Sequence, residues 1–344
     1  MIRKLAAVSL IAVLAACSDS TGPEDYDPVA ANSLAETVLG ALDGNDALVS
    51  LSVLGPAMQL SAAGPVLSVG PFDPTEGSAA TAARLRGLRD VLPSFGSTGT
   101  LALFPVDLLG ATFVYNPDLA EYQIDPEATG APADGVRFIL YAVDPILRRV
   151  VSPLNPVGYL DLIDVSTASA DAVRIVAVVG NVTYIDYVAS ASVGTSSATI
   201  SAEGFLSNGT DQVDFDMSIT LTASQFSVDY LLSTDDGSIR LQAALNNQTE
   251  SMSAELTLEG DGDTIVLEFT VGTSTVSGEI RYNGDVVVTV AGTPEAPTFT
   301  KPDGTALTQD EIDALEAFGA IVDYLFDVFD NLLWPAILVF AIGT

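Results

Sequence analysis

Residues 213–290 alternate apolar and polar side chains with a period of two, and this pattern constrains the fold more than any other feature. Turn sequences separate its runs, and Asn283-Gly284 is a strong signal for a two-residue hairpin. Alternation of this kind is typical of strands with one buried and one solvated face. The region is therefore predicted to be an antiparallel β-meander. Its apolar positions are Val213/Phe215/Met217/Ile219/Leu221, Phe226/Val228/Tyr230/Leu232, Ile239/Leu241/Ala243/Leu245, Met252/Ala254/Leu256/Leu258, Ile265/Leu267/Phe269/Val271, Val276/Ile280/Tyr282 and Val286/Val288/Val290.

The chain before residue 213 is less regular. Asp27 followed by Pro28 is typical of a helix start, and apolar residues recur at helical spacing to about residue 44. Residues 47–60 and 79–92 are further helix candidates, separated by a connection rich in Gly, Pro and Ser. Shorter period-two runs predict strands at 113–116, 121–125, 136–143, 159–165, 173–179, 182–191 and 198–206.

The segment after residue 307 has the spacing of an amphipathic helix. Thr308 and Glu311 form a capping-box sequence, which predicts a helix of about six turns covering the apolar face of the sheet. The tail 332–342 is apolar, contains Pro335 and is short for a membrane span, so it fits either core packing or insertion at a membrane surface. The apolar positions of the predicted helix are Ile312, Leu315, Phe318, Val322, Leu325, Phe329 and Leu332, and the acidic ones are Asp313, Glu316, Asp323, Asp327 and Asp330.

The first residues of the chain have the parts of an export signal. Arg3 and Lys4 precede a short apolar run at 5–13, which is followed by Leu14-Ala15-Ala16-Cys17. This tetrapeptide resembles the lipobox of bacterial lipoprotein signals, and the resemblance implies cleavage between Ala16 and Cys17 with diacylation of the Cys17 sulfur. In that family, Asp directly after the Cys favours inner-membrane retention. Ser18 stands there in this chain, so the resemblance implies attachment to the outer membrane, facing the periplasm or the cell surface.

Together these elements predict an α+β protein. A large antiparallel β-meander, shaped as a curved sheet or half-barrel, is expected to pack against N-terminal helices and the long C-terminal amphipathic helix. The predicted divisions are a signal peptide at 1–16, a lipidated tether at 17–27, a helical and irregular region at 28–98 and a β domain with the C-terminal helix at 99–344. The last two are expected to form one compact unit. In outline this architecture resembles periplasmic lipoprotein carriers with a half-barrel sheet and a helical plug.

The chain is strongly acidic and contains no histidine. Its 45 Asp+Glu against 12 Lys+Arg give a formal charge of −33, which is expected to repel nucleic acid and anionic lipid headgroups. Without His, and with Cys17 as the sole Cys, Ser-His-Asp and Cys-His nucleophile systems and conventional zinc sites are excluded. Lys301 is the one lysine outside the predicted signal, so a Walker-type loop is not expected. Carboxylate-only chemistry of the glycosidase type stays open until geometry is known.

Acidic turns are the remaining candidates for a cation site. Glu259, Asp261 and Asp263 alternate as the oxygen ligands of calcium loops do. Thr270 stands where such a loop carries its last carboxylate, which favours a plain hairpin turn. We therefore predict no metal, cofactor-binding or catalytic residue, and no cofactor. The same two alternatives, with the same preference, apply to Asp43-Gly44-Asn45-Asp46 and Asp235-Asp236-Gly237.

The predicted helix at 79–92 carries a local basic spot on this acidic chain. Arg84, Arg86 and Arg89 fit either an anionic partner or an ordinary exposed helix face, and Leu85 and Leu88 favour the second interpretation.

These observations predict a lipid-anchored envelope protein without enzymatic activity. The preferred hypothesis is a structural or interaction module with a solid core. The alternative is a carrier that binds a lipid or other hydrophobic ligand between the sheet and the helices. The two differ in whether that space is filled. The expected partners are the membrane, through the lipid on Cys17, and either a hydrophobic ligand or an envelope protein, but not nucleic acid.

Overall fold

A computed structural model describes residues 46–58, 103–144, 147, 149–168, 170–294 and 296–312, together with the single positions 315, 325, 332, 335, 336, 339 and 340. Within these residues the dominant element is one sheet of 15 strands. The helix α1 spans Asp46–Leu54 and is followed by the 3-10 turn Gly55–Ala57. Pro56 fits this turn because the start of a helical turn has no partner for a backbone N–H.

The strands follow one another along the chain with short connections. They are β1 Thr112–Asn116, β2 Glu121–Ile124, β3 Gly135–Tyr141, β4 Val143–Asp144, β5 Arg149–Val150, β6 Pro156–Asp164, β7 Asp171–Val179, β8 Val182–Val193, β9 Ser197–Ser207, β10 Gln212–Thr222, β11 Gln225–Ser233, β12 Gly237–Asn246, β13 Met252–Gly260, β14 Asp263–Val271, β15 Val276–Tyr282, β16 Asp285–Thr293 and β17 Ala296–Thr300.

Strand order is sequential from β17 back to β6, and each of these strands pairs antiparallel with the next. The sheet then continues through β3, β1 and β2. Strand β1 pairs parallel with β3 at Thr112–Arg137 and Phe113–Phe138, and antiparallel with the edge strand β2. Strands β4 and β5 form a separate two-stranded hairpin. The predicted antiparallel meander is thus confirmed, and the predicted strands before residue 213 correspond to β1–β3 and β6–β9.

Two hairpins show the predicted turn chemistry. Asp261 and Gly262 have φ of 54° and 90°, and Asn283 and Gly284 have φ of 48° and 90°. Positive φ at both central residues is the backbone of a type I′ turn, which Asn, Asp and Gly adopt at low cost. Each turn directly joins paired strand ends, at Gly260–Asp263 and Tyr282–Asp285. These turns therefore set the register of β13 on β14 and of β15 on β16.

Strand residues supply most of the buried apolar side chains, and these form one contiguous core. A sheet with this many strands is expected to twist and curl. Helix α1 lies on this face against β3, β7 and β8, and Ser50 Oγ donates a hydrogen bond to the Tyr141 carbonyl at 3.2 Å. Six C-terminal positions are also buried, namely Leu325, Leu332, Pro335, Ala336, Val339 and Phe340. For the described part of the tail, core packing is thus observed.

The predicted α+β class is wrong. The described residues form a 15-stranded sheet, and their helical parts are α1, the 3-10 turn and a short stretch at 309–312, with further helical residues at single positions of the tail. No long N-terminal or C-terminal helix is found among them. Apolar residues at helical spacing show which side chains can share a face, but tertiary packing decides whether a long helix forms. Among the described helices, none has the length and apolarity needed to cross a membrane.

The start of the predicted C-terminal helix is nevertheless formed as expected. Glu311 Oε2 accepts hydrogen bonds from the Thr308 backbone N–H at 2.7 Å and from its hydroxyl at 2.8 Å, which is the capping box. Ile312, predicted to be buried, is 38% exposed, whereas Leu315 packs against the core. Phe318, Val322 and Phe329 lie outside the described residues, as do the predicted helices at 28–44 and 79–92.

Candidate functional site

The residues with the most specific sequence signal lie outside the described part of the structure. Cys17, the predicted lipidation site, and Ala16 at the cleavage position belong to this group. The basic spot of Arg84, Arg86 and Arg89 also lies outside the described residues. Lipidation and the basic spot therefore stay predictions. The described residues instead present a candidate interaction site on the polar face of the sheet.

This site is an open groove of about 870 Å³ that crosses strands β10 to β15. A twisted sheet is saddle-shaped, so the face opposite the core can also be concave along one diagonal. Two rows of cross-strand neighbours line the groove. The acidic row is Ser218, Asp229, Gln242, Glu255, Glu268 and Glu279, and the hydroxyl row is Ser227, Ala244, Ser253, Thr270 and Ser277; each residue is the register partner of the next.

Three carboxylates of the acidic row stand directly opposite one another. Glu255 pairs with Glu268 across β13 and β14, and Glu268 pairs with Glu279 across β14 and β15. Directly opposed side chains have Cβ atoms about 5 Å apart, so like charges there destabilise a sheet. The groove thus holds an arrangement that costs stability.

Two arginines partly balance this charge. Arg240 binds Asp229 with both branches of its guanidinium, Nε to Oδ1 at 2.9 Å and NH2 to Oδ2 at 2.7 Å, and Gln242 Nε2 donates to the same Oδ2 at 2.9 Å. The hydrogen bond from Arg240 lowers the pKa of Asp229 below its ordinary value, because it stabilises the ionised carboxylate. Arg281 makes a short ion pair with Glu279 on its own strand.

The centre of the acidic row is less well compensated than its ends. Glu255 accepts a 3.4 Å hydrogen bond from the Thr257 hydroxyl, and the side chain of Glu268 is exposed. The two arginine pairs lie at Asp229 and Glu279, on either side of these two glutamates. The middle of the groove therefore carries net negative charge and hydrogen-bond acceptors. Such a surface can bind polar or positively charged groups of a partner.

Elsewhere on the sheet, arginines hold neighbouring strands together. Arg137 binds Asp161 through Nε and NH2, each at 2.7 Å, and its guanidinium carbon lies 3.6 Å from the centre of the Tyr159 ring. Arg174 makes the same two-branched contact with Asp186. Hydrogen bonding to Asp161 raises the pKa of Arg137. These pairs span β3–β6 and β7–β8, so their role is to join strands.

The acidic turn at Glu259–Asp263 is a hairpin turn, which is the alternative that the sequence favoured over a calcium loop. Asn283 Nδ2 donates to Asp263 Oδ1 at 3.0 Å, and Asn283 Oδ1 accepts from the Thr264 N–H at 2.9 Å, so the polar atoms join this turn to the next. No group of three or more acidic, His or Cys side chains placed to hold a metal ion occurs among the described residues.

The sequence prediction did not include the acidic row, although one signal could have revealed it. A two-residue turn at Asp261-Gly262 makes Gly260 and Asp263 partners, and counting back along both strands places Glu255 opposite Glu268. The groove itself could not be found in this way, because its curvature depends on the twist of six strands.

Comparison with protein-family models, with curated proteins and with solved structures finds no match to this chain.

Proposed function

We propose that this chain is a lipid-anchored, non-enzymatic interaction module of the bacterial cell envelope, which presents the polar face of its sheet to a partner. The acidic groove carries this proposal, because it is a concave surface with registered rows of hydrogen-bonding side chains. The lipobox-like sequence ending at Cys17 supports the anchor and the envelope location. The missing His supports a role that does not depend on nucleophilic catalysis.

The lining of the groove favours a polar partner over a hydrophobic ligand. Ser, Thr, Gln, Asp and Glu provide most of its side chains. The carrier alternative assumed long helices packed on the sheet with a cavity between them, and no long helix is found among the residues that the structure describes. An interaction module is consequently the function that the described geometry supports best.

Site-specific photo-crosslinking in cells tests the partner. A photoreactive amino acid replaces Gln242, which is exposed in the groove, and in a matched control it replaces Gln212, which is exposed on β10 and does not line the groove. We expect a discrete crosslinked species at Gln242 that is missing at Gln212. Glu255→Gln combined with Glu268→Gln should weaken it. Equal crosslinking at both positions, or none at Gln242, would contradict a partner in the groove.

The anchor is tested separately by mass spectrometry of the mature protein. We expect the N-terminal residue to be Cys17 carrying fatty acyl chains. An unmodified N-terminus at another residue would refute the anchor, whereas the crosslinking result would stand by itself.

A further inference from the structure

We propose that Asn208 is a site of spontaneous covalent modification, at which its side-chain amide cyclises onto the backbone nitrogen of Gly209 and is then hydrolysed to a carboxylate. The site is the turn between β9, which ends at Ser207, and β10, which begins at Gln212. The turn is described in full, and its chemistry depends neither on the lipid anchor nor on the acidic groove.

The chain contains two Asn-Gly dipeptides, Asn208-Gly209 and Asn283-Gly284. Asparagine is a thermally labile residue, and a following glycine has no side chain to hinder attack by its backbone nitrogen. Both dipeptides lie in turns that join paired antiparallel strands, and both glycines are exposed. Since the dipeptide is the same, contacts in the folded chain decide which of the two reacts.

At Asn208, each reacting atom has a partner within the turn itself. The Gly209 N–H donates a hydrogen bond to Ser207 Oγ at 3.0 Å. Asn208 Oδ1 accepts hydrogen bonds from the Thr210 N–H at 2.9 Å and from the Asp211 N–H at 2.8 Å. Asn208 Nδ2 donates to Asp211 Oδ2 at 3.3 Å. The attacking nitrogen, the carbonyl oxygen and the leaving nitrogen are therefore all oriented before the reaction begins.

These contacts match the charge that develops during cyclisation. As the Gly209 nitrogen attacks Asn208 Cγ, Oδ1 becomes an oxyanion, and two backbone N–H donors at this distance stabilise it. The proton of the Gly209 N–H passes to solvent through the Ser207 hydroxyl, which accepts it first. The N–Cγ bond forms, the Cγ–Nδ2 bond breaks, and Nδ2 leaves as ammonia with a proton from solvent. Water then opens the resulting succinimide at either carbonyl, which gives aspartate or isoaspartate.

Asn283 has the same neighbour but different contacts. Its Nδ2 donates to Asp263 Oδ1 at 3.0 Å, and its Oδ1 accepts from the Thr264 N–H at 2.9 Å, so its amide is bound to the neighbouring hairpin. Cyclisation turns the amide towards Gly284 and breaks both of these hydrogen bonds. The fold therefore hinders the reaction at Asn283 and promotes it at Asn208.

The product changes the charge and the backbone of the β9–β10 turn. A carboxylate at position 208 replaces the amide that donated to Asp211, so two like charges then face each other. The isoaspartate form also adds one methylene to the main chain. Because β9 pairs with β10 from Ser207–Gln212 onwards, the modification acts on the closing end of this hairpin. The modified chain thus carries one more negative charge and a weaker turn.

Peptide mapping by mass spectrometry of the mature chain carrying Cys17→Ser tests this modification. The protein is incubated in mildly alkaline buffer, folded and in parallel unfolded in urea, and conversion at each Asn-Gly is followed over time. In the folded chain we expect Asn208 to react about tenfold faster than Asn283, because an oriented donor to an oxyanion contributes at least that factor. In urea, where the contacts of both turns are lost, the two rates should become similar.

Ser207→Ala tests the proton acceptor, with Asn283 as the control in the same molecules. The rate at Asn208 should fall several-fold, whereas the rate at Asn283 should not change, because Ser207 has no part in that turn. Asn208→Gln should prevent conversion of the turn peptide, since glutamine has to close a larger ring.

Three outcomes would overturn the proposal. They are a rate at Asn208 no higher than at Asn283 in the folded chain, a preference for Asn208 that is equally large in urea, and a rate at Asn208 that Ser207→Ala does not lower. The comparison of folded with unfolded wild-type chain decides the matter even where Ser207→Ala disturbs folding. None of these outcomes bears on acylation of Cys17 or on crosslinking at the groove.

Discussion

Replacing Glu268 by Gln is expected to stabilise the protein, although it removes a side chain of the candidate site. Glu268 lies directly between Glu255 and Glu279 on the neighbouring strands, so two like charges face it. The amide has nearly the same shape as the carboxylate and no charge. The substitution therefore removes repulsion with little change in packing.

The size of the effect follows from the register. Two charges about 5 Å apart in water interact by about 0.8 kcal/mol, and salt at physiological strength, with a Debye length of about 8 Å, reduces this by about half. Two neighbours give about 0.8 kcal/mol, and Arg281 offsets part of the Glu279 charge. We expect the free energy of unfolding to rise by about 0.5–1 kcal/mol, which agrees with the usual range for cross-strand pairs.

Urea denaturation at two salt concentrations is the assay. Glu259→Gln is the matched control, since Glu259 is exposed on the same strand as Glu255 and faces the uncharged Ser238 and Thr264. Its effect should stay within about 0.5 kcal/mol. Raising the salt to about 1 M, where the Debye length is about 3 Å, should remove most of the gain from Glu268→Gln. A gain no larger than that of the control, or one that persists in high salt, would refute the charge argument.

Three further predictions concern other parts of the chain. An NMR titration should show the pKa of the Asp229 carboxyl below its ordinary value. Its contribution to stability is therefore present above the unfolded-state pKa and is lost as the pH falls through the folded-state pKa. Arg240→Gln should raise the folded-state pKa of Asp229, and an unchanged titration would contradict the pairing. Phe138→Ala, which removes a fully buried ring, should lower the free energy of unfolding in urea by about 3–5 kcal/mol. Ile124→Ala on the exposed edge strand should lower it by less than about 0.5 kcal/mol. Similar losses for the two variants would show that the edge strand is packed differently. Cys17→Ala should abolish acylation and should either release the protein into the soluble envelope fraction or leave the signal uncleaved. Fatty acyl chains found by mass spectrometry on the protein with Cys17→Ala would argue against Cys17 as the lipidation site.

The sequence determined the strands and much of their pairing. From Val213 onwards, apolar residues alternate with polar ones, and only a strand places side chains of that period on a single face. Each run accordingly forms one strand of the meander. Asp261-Gly262 and Asn283-Gly284 are local chemical signals for positive φ, and they fixed the register of their hairpins. The capping box at Thr308 was predictable for the same reason, because all its hydrogen bonds lie within four residues.

Tertiary structure decided the features that depend on distant residues. The parallel pairing of β1 with β3 joins segments whose local sequence does not specify a partner. The apolar spacing after Thr308 predicted a long helix covering the sheet, whereas among the described residues only its capped start at 309–312 is continuous, and the folded chain alone reveals which tail positions are buried. The groove exists because twist accumulates over six strands, and it brings Asp229 and Glu279, 50 residues apart in sequence, into one row. The period of the side chains and the chemistry of the turns act within a few residues. The curvature of the sheet and the packing of other segments on it are properties of the whole sheet, so only the folded chain reveals those two features.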